Sequence, residues 1–198
     1  MSRPRETALR ELRRSLRLLA TIESFAAART ISSTQTDMLY ESIYLSSYVT
    51  FEVFIEKQFI ALMVGRPYHK GKAASQRVRV KSEVIAYKLV TGQNPFPRFL
   101  PTDDLKRLGD LFFEGGRPFS TLDATDEAVL IRGQRLRNAI AHRSKAANNT
   151  LKKKVLASVA LRPAQRTAAG FLRSIHSPGE SRLQNEIKEL MRMIAKLS

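Results

Sequence analysis

Residues 6–28 read ETALRELRRSLRLLATIESFAAA, and the order of apolar and basic positions in this stretch decides the fold class. Leu9, Leu12, Leu16, Leu19, Ile22 and Phe25 recur at steps of three and four, with Arg10, Arg13, Arg14 and Arg17 between them. On a helix that spacing collects the apolar side chains into one stripe and leaves the guanidinium groups in water. A first amphipathic helix is predicted from about Glu6 to Ala28.

The period resumes beyond a break at Ser32, Ser33 and Thr34, with Asp37 placed for the next first turn. Leu39, Ile43, Tyr44, Tyr48, Phe51, Phe54, Ile55, Phe59 and Leu62 predict a second, long helix stopped by Gly65 and Pro67. Tyr68 to Gln76 is small and basic and reads as a loop; Arg77-Val78-Arg79-Val80-Lys81 alternates like a short strand. Val84, Ile85 and Leu89 restore the helical period up to Gly92. Asn94 to Pro101 cannot be helical, because its prolines lack the amide donor and restrict their predecessors, so it is an ordered connection held by its aromatic residues. A short helix from Leu105 to Phe113 closes at Gly115-Gly116, and Pro118 to Thr125 connects onward.

A further helix is expected from near Asp126-Glu127, whose charges suit a helix N-terminus, to about Ser144, with 146–150 polar enough to end it. Ser181 to Leu197 is the last helix, behind a Ser-Pro-Gly-Glu turn. No segment repeats. The reading is all-α: a helical bundle with loop or short-strand embellishments, forming one domain over 1–198, with a boundary near 148–150 setting off a C-terminal helical extension.

With 43% hydrophobic residues, 198 residues suffice to bury a core without disulfides or a structural metal. Lys and Arg number 34 against 18 Asp and Glu, a formal charge of +16, which attracts polyanions. The absence of cysteine excludes disulfides, thiol nucleophiles and thiolate metal sites. His69, His142 and His176 are far apart, with no helical i,i+4 pair, so neither a metal nor another cofactor is expected. The N-terminus lacks an apolar signal core and no run approaches membrane-spanning length. A soluble, cytoplasmic protein with no membrane partner is therefore expected.

The chemistry gathers in Leu136-Arg137-Asn138-Ala139-Ile140-Ala141-His142-Arg143-Ser144. Leu136 and Ile140 share a helical stripe with Val129, whereas Asn138 and His142, four apart, lie about 200° from it. The motif therefore faces away from its own core. Arg135 joins the Asn138 and His142 strip, Arg137 lies beside it, and Arg132 and Arg143 add charge nearby. For RNA cleavage, a base must deprotonate the 2′-hydroxyl, the phosphorane must be stabilised and the 5′-oxygen must receive a proton. Histidine suits both proton transfers, arginine clamps a phosphoryl oxygen, and asparagine orients the imidazole or the ribose. One imidazole per chain does not easily serve as both acid and base, so the chemistry points to a dimer.

That string resembles the signature of the HEPN superfamily (higher eukaryotes and prokaryotes nucleotide-binding), in which Arg is followed by a polar residue, often Asn, and, after four to six residues, by His. With the long helix bearing Ser47-Tyr48-Val49-Thr50-Phe51-Glu52 and the Phe-Pro-rich connection, the chain looks like the RiboL-PSP-HEPN branch over most of its length. The resemblance implies a helical bundle that homodimerises with its motifs at the interface. It implies a metal-independent endoribonuclease of toxin-antitoxin, phage-defence or RNA-processing systems, leaving 2′,3′-cyclic phosphate and 5′-hydroxyl ends. Arg137, Asn138 and His142 carry over as catalytic residues, and RNA is the expected partner with an antitoxin or other protein as a further one; from their charge and place on the same helix, Arg132, Arg135 and Arg143 are the expected RNA-binding set. Some members have lost catalysis and bind RNA, nucleotides or proteins, which stands as the alternative.

Other candidates carry less. Glu52 and Glu56 share a helical face as a carboxylate pair or as ion-pair partners, and Glu52 is a candidate for orienting a motif residue, a role that depends on the bundle geometry. Arg77, Arg79 and Lys81 form one side of the expected strand, either tracking a phosphate backbone or protecting an edge. Lys152-Lys153-Lys154 reads as a solvated face, and His69 and His176 fall in expected loops.

Overall fold

A computed structural model describes residues 4–66, 74–92, 99–100 and 102–198, and the chain is all-α. Its helices are α1 (Pro4–Ala27), α2 (Ser33–Met63), α3 (Glu83–Thr91), α4 (Thr102–Phe112), α5 (Ala124–His142), α6 (Lys145–Lys154), α7 (Ala168–Arg173) and α8 (Arg182–Lys196). Short 3-10 turns connect some of them, and a small antiparallel hairpin, β1 (Ile175–Ser177) with β2 (Glu180–Ser181), precedes α8. Among the described residues no helix is long and apolar enough to cross a membrane.

Local chemistry sets the helix ends. At α2 the Ser32 hydroxyl accepts from the Gln35 amide (3.2 Å) and the Gln35 side chain accepts from the Ser32 amide (2.8 Å), a reciprocal cap one turn ahead of Asp37. Asp37 is therefore in the second turn, not the first, and it pairs with Arg173 at 2.5 Å. The far end of α2 closes on Gly65 at φ 81°, with Gly65 N–H bonded to Leu62 O and Arg66 N–H to Ala61 O. At α5 the cap is Asp123: its Oδ1 accepts from the amides of Thr125 and Asp126, and its own amide donates to Asp126. The helix thus starts two residues before Asp126.

Two other sequence expectations change, and a third element, α3, forms where its periodicity placed it but buries other residues. Residues 77–81 form no strand, because the facing backbone extends for only one residue, Phe113, between α4 and the next turn; a single bridge joins Phe113 to Gln76. Residues 146–150 do not end a helix but lie within α6, which Ser144 caps through the Ala147 amide at 3.2 Å. Its lone buried residue, Leu151, explains why no periodicity announced it. In α3, Val84, Ile85 and Leu89 mark the helix but are at least half exposed, and Ala86 and Thr91 are buried instead. The expected loop at 68–73 and the connection at 94–98 and 101 lie outside the described residues.

The described residues gather into two compact units. One comprises those within Met1–Ala8, Phe51–Ile131 and Arg192–Ser198. At its centre the Phe59 ring meets Phe99, Phe112, Phe113 and Phe119, with centroids 4.9–6.1 Å apart. Such contacts supply much of the hydrophobic stabilisation of a small unit. Gln76 donates from its side chain to the terminal carbonyls of α2, Leu62 and Met63. At the start of α5, Asp126 is fully buried, taking Arg192 on one carboxylate oxygen (2.5 Å) and Lys196 on the other (2.6 Å).

The second unit comprises Leu9–Thr50 and Arg132–Met191. Its core includes Leu12, Leu19, Tyr44, Tyr48, Leu136, Ile140, Phe171, Leu172, Leu183 and Ile187. Glu23 of α1 accepts from Tyr40 (2.9 Å) and from Gln184 (3.4 Å). Phe25, counted with the apolar stripe of α1, is half exposed. At 100° per residue it lies about 140° from Leu12, because the stripe drifts over the length of the helix.

Candidate active site

The last turns of α5 present the motif as its phase dictates. Leu136, Ala139 and Ile140 are buried, while Arg137 and Asn138 are partly exposed and His142 is exposed. One terminal nitrogen of Arg137, Nη1, lies 3.4 Å from Asn138 Oδ1 and 3.3 Å from His142 Nε2. The structure therefore brings the three predicted catalytic side chains together around a guanidinium. Because a guanidinium only donates, the second contact is a hydrogen bond only when Nε2 carries its lone pair. That is the form in which an imidazole can take up a proton.

His142 is the final residue of α5, and the turn behind it is closely held. Arg143 adopts φ 48°, in the left-handed region that disfavours a side chain, and its amide bonds to Ala139 O at 3.1 Å. Its carbonyl accepts from the Asn148 side chain at 3.4 Å, and its guanidinium meets Glu41 of α2 at 3.6 Å. Burial pushes the Glu41 carboxyl above its ordinary range; Asp37 adds to this, and Arg143 and the Ala169 amide oppose it.

One turn before Arg137, Gly133 lets α5 approach the tyrosines of α2. The Tyr44 hydroxyl donates to Gly133 O at 2.9 Å, and a Cβ on Gly133 would stand 2.6 Å from Tyr48 Cε2. Tyr44 and Tyr48 are themselves buried and stacked. The α5 backbone below the motif is thereby pinned at one depth.

The three arginines expected to bind RNA all have partners inside the chain. Arg132 Nε donates to Glu186 at 2.6 Å; burial raises that carboxyl, and Arg132 pulls it back. Arg132 is thereby held against a buried acid, with its own side chain 30% exposed. Arg135 donates to Lys154 O at 3.4 Å, at the C-terminus of α6, and Arg143 pairs with Glu41 while its side chain stays largely exposed. Of the three, Arg143 is the most available to a ligand.

Glu52 and Glu56 are half-buried on α2. Arg77 donates to Phe113 O at 3.3 Å instead of lining a strand. His176 is exposed and sits in the hairpin, not in a loop, and His69 lies outside the described residues. Among the described residues no cluster of three or more His, Asp or Glu could hold a metal ion.

Sequence reasoning missed Gly133, Glu41 and Glu186. A glycine inside a helix costs about 1 kcal/mol relative to alanine, so Gly133 was a readable sign of close backbone approach. The two glutamates gave no local sign, because their roles depend on arginines 102 and 54 residues away. Compared with protein-family models, curated proteins and solved structures, the chain matches none.

Proposed function

We propose that the protein is a HEPN-type endoribonuclease that cleaves RNA without a metal ion, acting as a homodimer. The supporting observation is the contact of one Arg137 guanidinium with both Asn138 and His142 on an exposed helix end. His142, as the lone-pair acceptor at Nε2, removes the proton of a ribose 2′-hydroxyl, whose oxygen attacks the adjacent phosphorus. Arg137 turns from its intramolecular contacts to the phosphorane oxygens, and Asn138 positions the ribose or the imidazole. The departing 5′-oxygen needs a proton while His142 is taking one up. A second imidazole from a second copy supplies it, and the products carry 2′,3′-cyclic phosphate and 5′-hydroxyl ends.

Purified protein in excess EDTA, given labelled RNA and the same sequence as DNA, tests this. RNA should be cut, DNA should survive for want of the 2′-hydroxyl, and His142→Ala should lose cleavage while still binding. Loss of cleavage on chelation, or undiminished cleavage by His142→Ala, would reject the mechanism. Tight RNA binding with no cleavage by the intact protein would identify a noncatalytic binding module instead.

A further inference from the structure

The outward face of α1 combines cations and apolar side chains that play no part in the core. Arg10, Arg13, Arg14, Arg17, Leu18, Thr21 and Phe25 are all exposed and fall on one side of the helix. Leu18 and Phe25 are each 50% exposed, although the opposite side supplies the buried Leu12, Leu19 and Ile22. Glu11 touches Arg10 (3.4 Å) and Arg14 (3.9 Å), while Glu23 is turned to Tyr40 and Gln184. Among the described residues no carboxylate pairs with Arg13 or Arg17.

Three features separate this face from a surface that merely keeps a protein soluble. Such surfaces mix signs and use lysine and glutamate freely, yet α1 contains no lysine, and Glu11 at its edge is the one acid among the described residues that meets this strip between Arg10 and Phe25, leaving Arg13 and Arg17 without one. Arginine grips phosphate through a planar fork and also stacks on bases, which a lysine ammonium does not. Beyond the four arginines, the half-exposed Phe25 offers a ring to a base at a cost in solvation that the fold does not require. From Arg10 to Phe25 the helix rises about 22 Å, enough to follow several nucleotides. A duplex hides its base faces, so the exposed ring favours a single strand. Two apolar side chains are too few for a helix to lie in a bilayer when its other side is buried in protein.

We infer that this face of α1 is a single-stranded RNA track, with Arg10, Arg13, Arg14 and Arg17 on consecutive phosphates and Phe25 stacked on a base. The choice of RNA rests on the proposed function; the track itself does not require cleavage. Fluorescence anisotropy with a labelled 2′-O-methyl oligouridylate, which offers no nucleophile, reads binding alone. Arg13→Glu/Arg17→Glu should weaken Kd at least tenfold and flatten the dependence of log Kd on log salt by about 1.4, from roughly 0.7 for each lost phosphate contact. Phe25→Ala should weaken binding about fivefold or more. Lys153→Glu/Lys154→Glu, exposed on α6 and making the same change in net charge, should do markedly less. Arg13→Gln/Arg17→Gln repeats the test without charge reversal, and circular dichroism confirms each fold.

Wild-type affinity in both arginine variants, or a loss no greater than that of the lysine variant, overturns the track and leaves the cleavage reading intact. Failure of the wild-type protein to cleave RNA, with binding lost in the arginine variants, sinks the cleavage reading and leaves the track. If the arginine variants instead lose only binding to phosphatidylserine–phosphatidylcholine vesicles, the face is a membrane contact and the inference is wrong.

Discussion

Gly133→Ala tests whether α5 is held by close contact or simply by helix formation, because the two accounts predict opposite signs. In an unobstructed helix interior the change stabilises by about 1 kcal/mol. Here the new methyl would stand 2.6 Å from Tyr48 Cε2 and 3.2 Å from the Tyr44 hydroxyl oxygen. Both tyrosines are 1% exposed, so neither ring has free space to enter. Overpacking of this kind costs about 1–3 kcal/mol, and moving α5 outward also stretches the 2.9 Å Tyr44 bond to Gly133 O, worth about 1 kcal/mol. After subtracting the propensity gain, a net destabilisation of about 1–3 kcal/mol is expected. In urea titrations followed by circular dichroism the midpoint should fall by roughly 1 M with the slope unchanged, for a slope near 2 kcal/mol/M. In a Tyr48→Leu background, where the ring edge is gone, Gly133→Ala should be neutral or stabilising. Because Gly133 lies one turn from Arg137, RNA cleavage should fall with the single change and recover partly in the double. An increase in stability for the single variant would refute the close-contact account.

Asp126→Asn removes the charge that Arg192 and Lys196 share at the start of α5. A loss of about 2–3 kcal/mol is expected in the same urea assay, below the usual 3–5 for a buried pair because both cations keep some solvent; a change under about 0.5 kcal/mol would show the cluster to be unimportant. The same cluster should govern acid stability. Lys196 and the Asp126 amide hold the Asp123 carboxyl down to about 2, and although burial works to raise Asp126, its bonds to Lys196, the Asp123 amide and Arg192 keep it below its ordinary range. A depressed carboxyl stabilises the fold above its unfolded value near 3.9 and loses that contribution as pH falls through the folded value. The stability gap between wild type and Asp123→Asn/Asp126→Asn should therefore be constant above about pH 5 and close progressively as pH falls toward about 1–2. A gap that persists unchanged to pH 2 would contradict the assignment.

Helix and phase were legible from sequence because both are local. The three- and four-residue steps of α1, the apolar pattern of α2 and Gly65 at its end reflect chemistry within a turn or two of chain. The outward placement of Arg137, Asn138 and His142 likewise follows from Leu136 and Ile140 being buried. Residues whose partners are nearby in sequence but whose pattern is polar were harder: α6 is a capped helix with one buried residue, and polarity alone read it as a stop.

What required the tertiary structure is what depends on distant segments meeting. Tyr44 and Gly133 are 89 positions apart, and Arg132 and Glu186 are 54 apart. No period encodes such pairs, so sequence could not tell that Arg132 is committed to a buried carboxylate while Arg143 stays largely exposed. Nor could it tell that Asp126, seen as a helix-end charge, is a buried anchor for two cations. The amino-acid order by itself determined an all-α chain and a motif facing outward, because each residue's direction on a helix follows from its own neighbours. Only tertiary packing decided which charges are neutralised internally and which remain for a ligand, because that choice depends on what the folded chain brings within a few ångströms of each one.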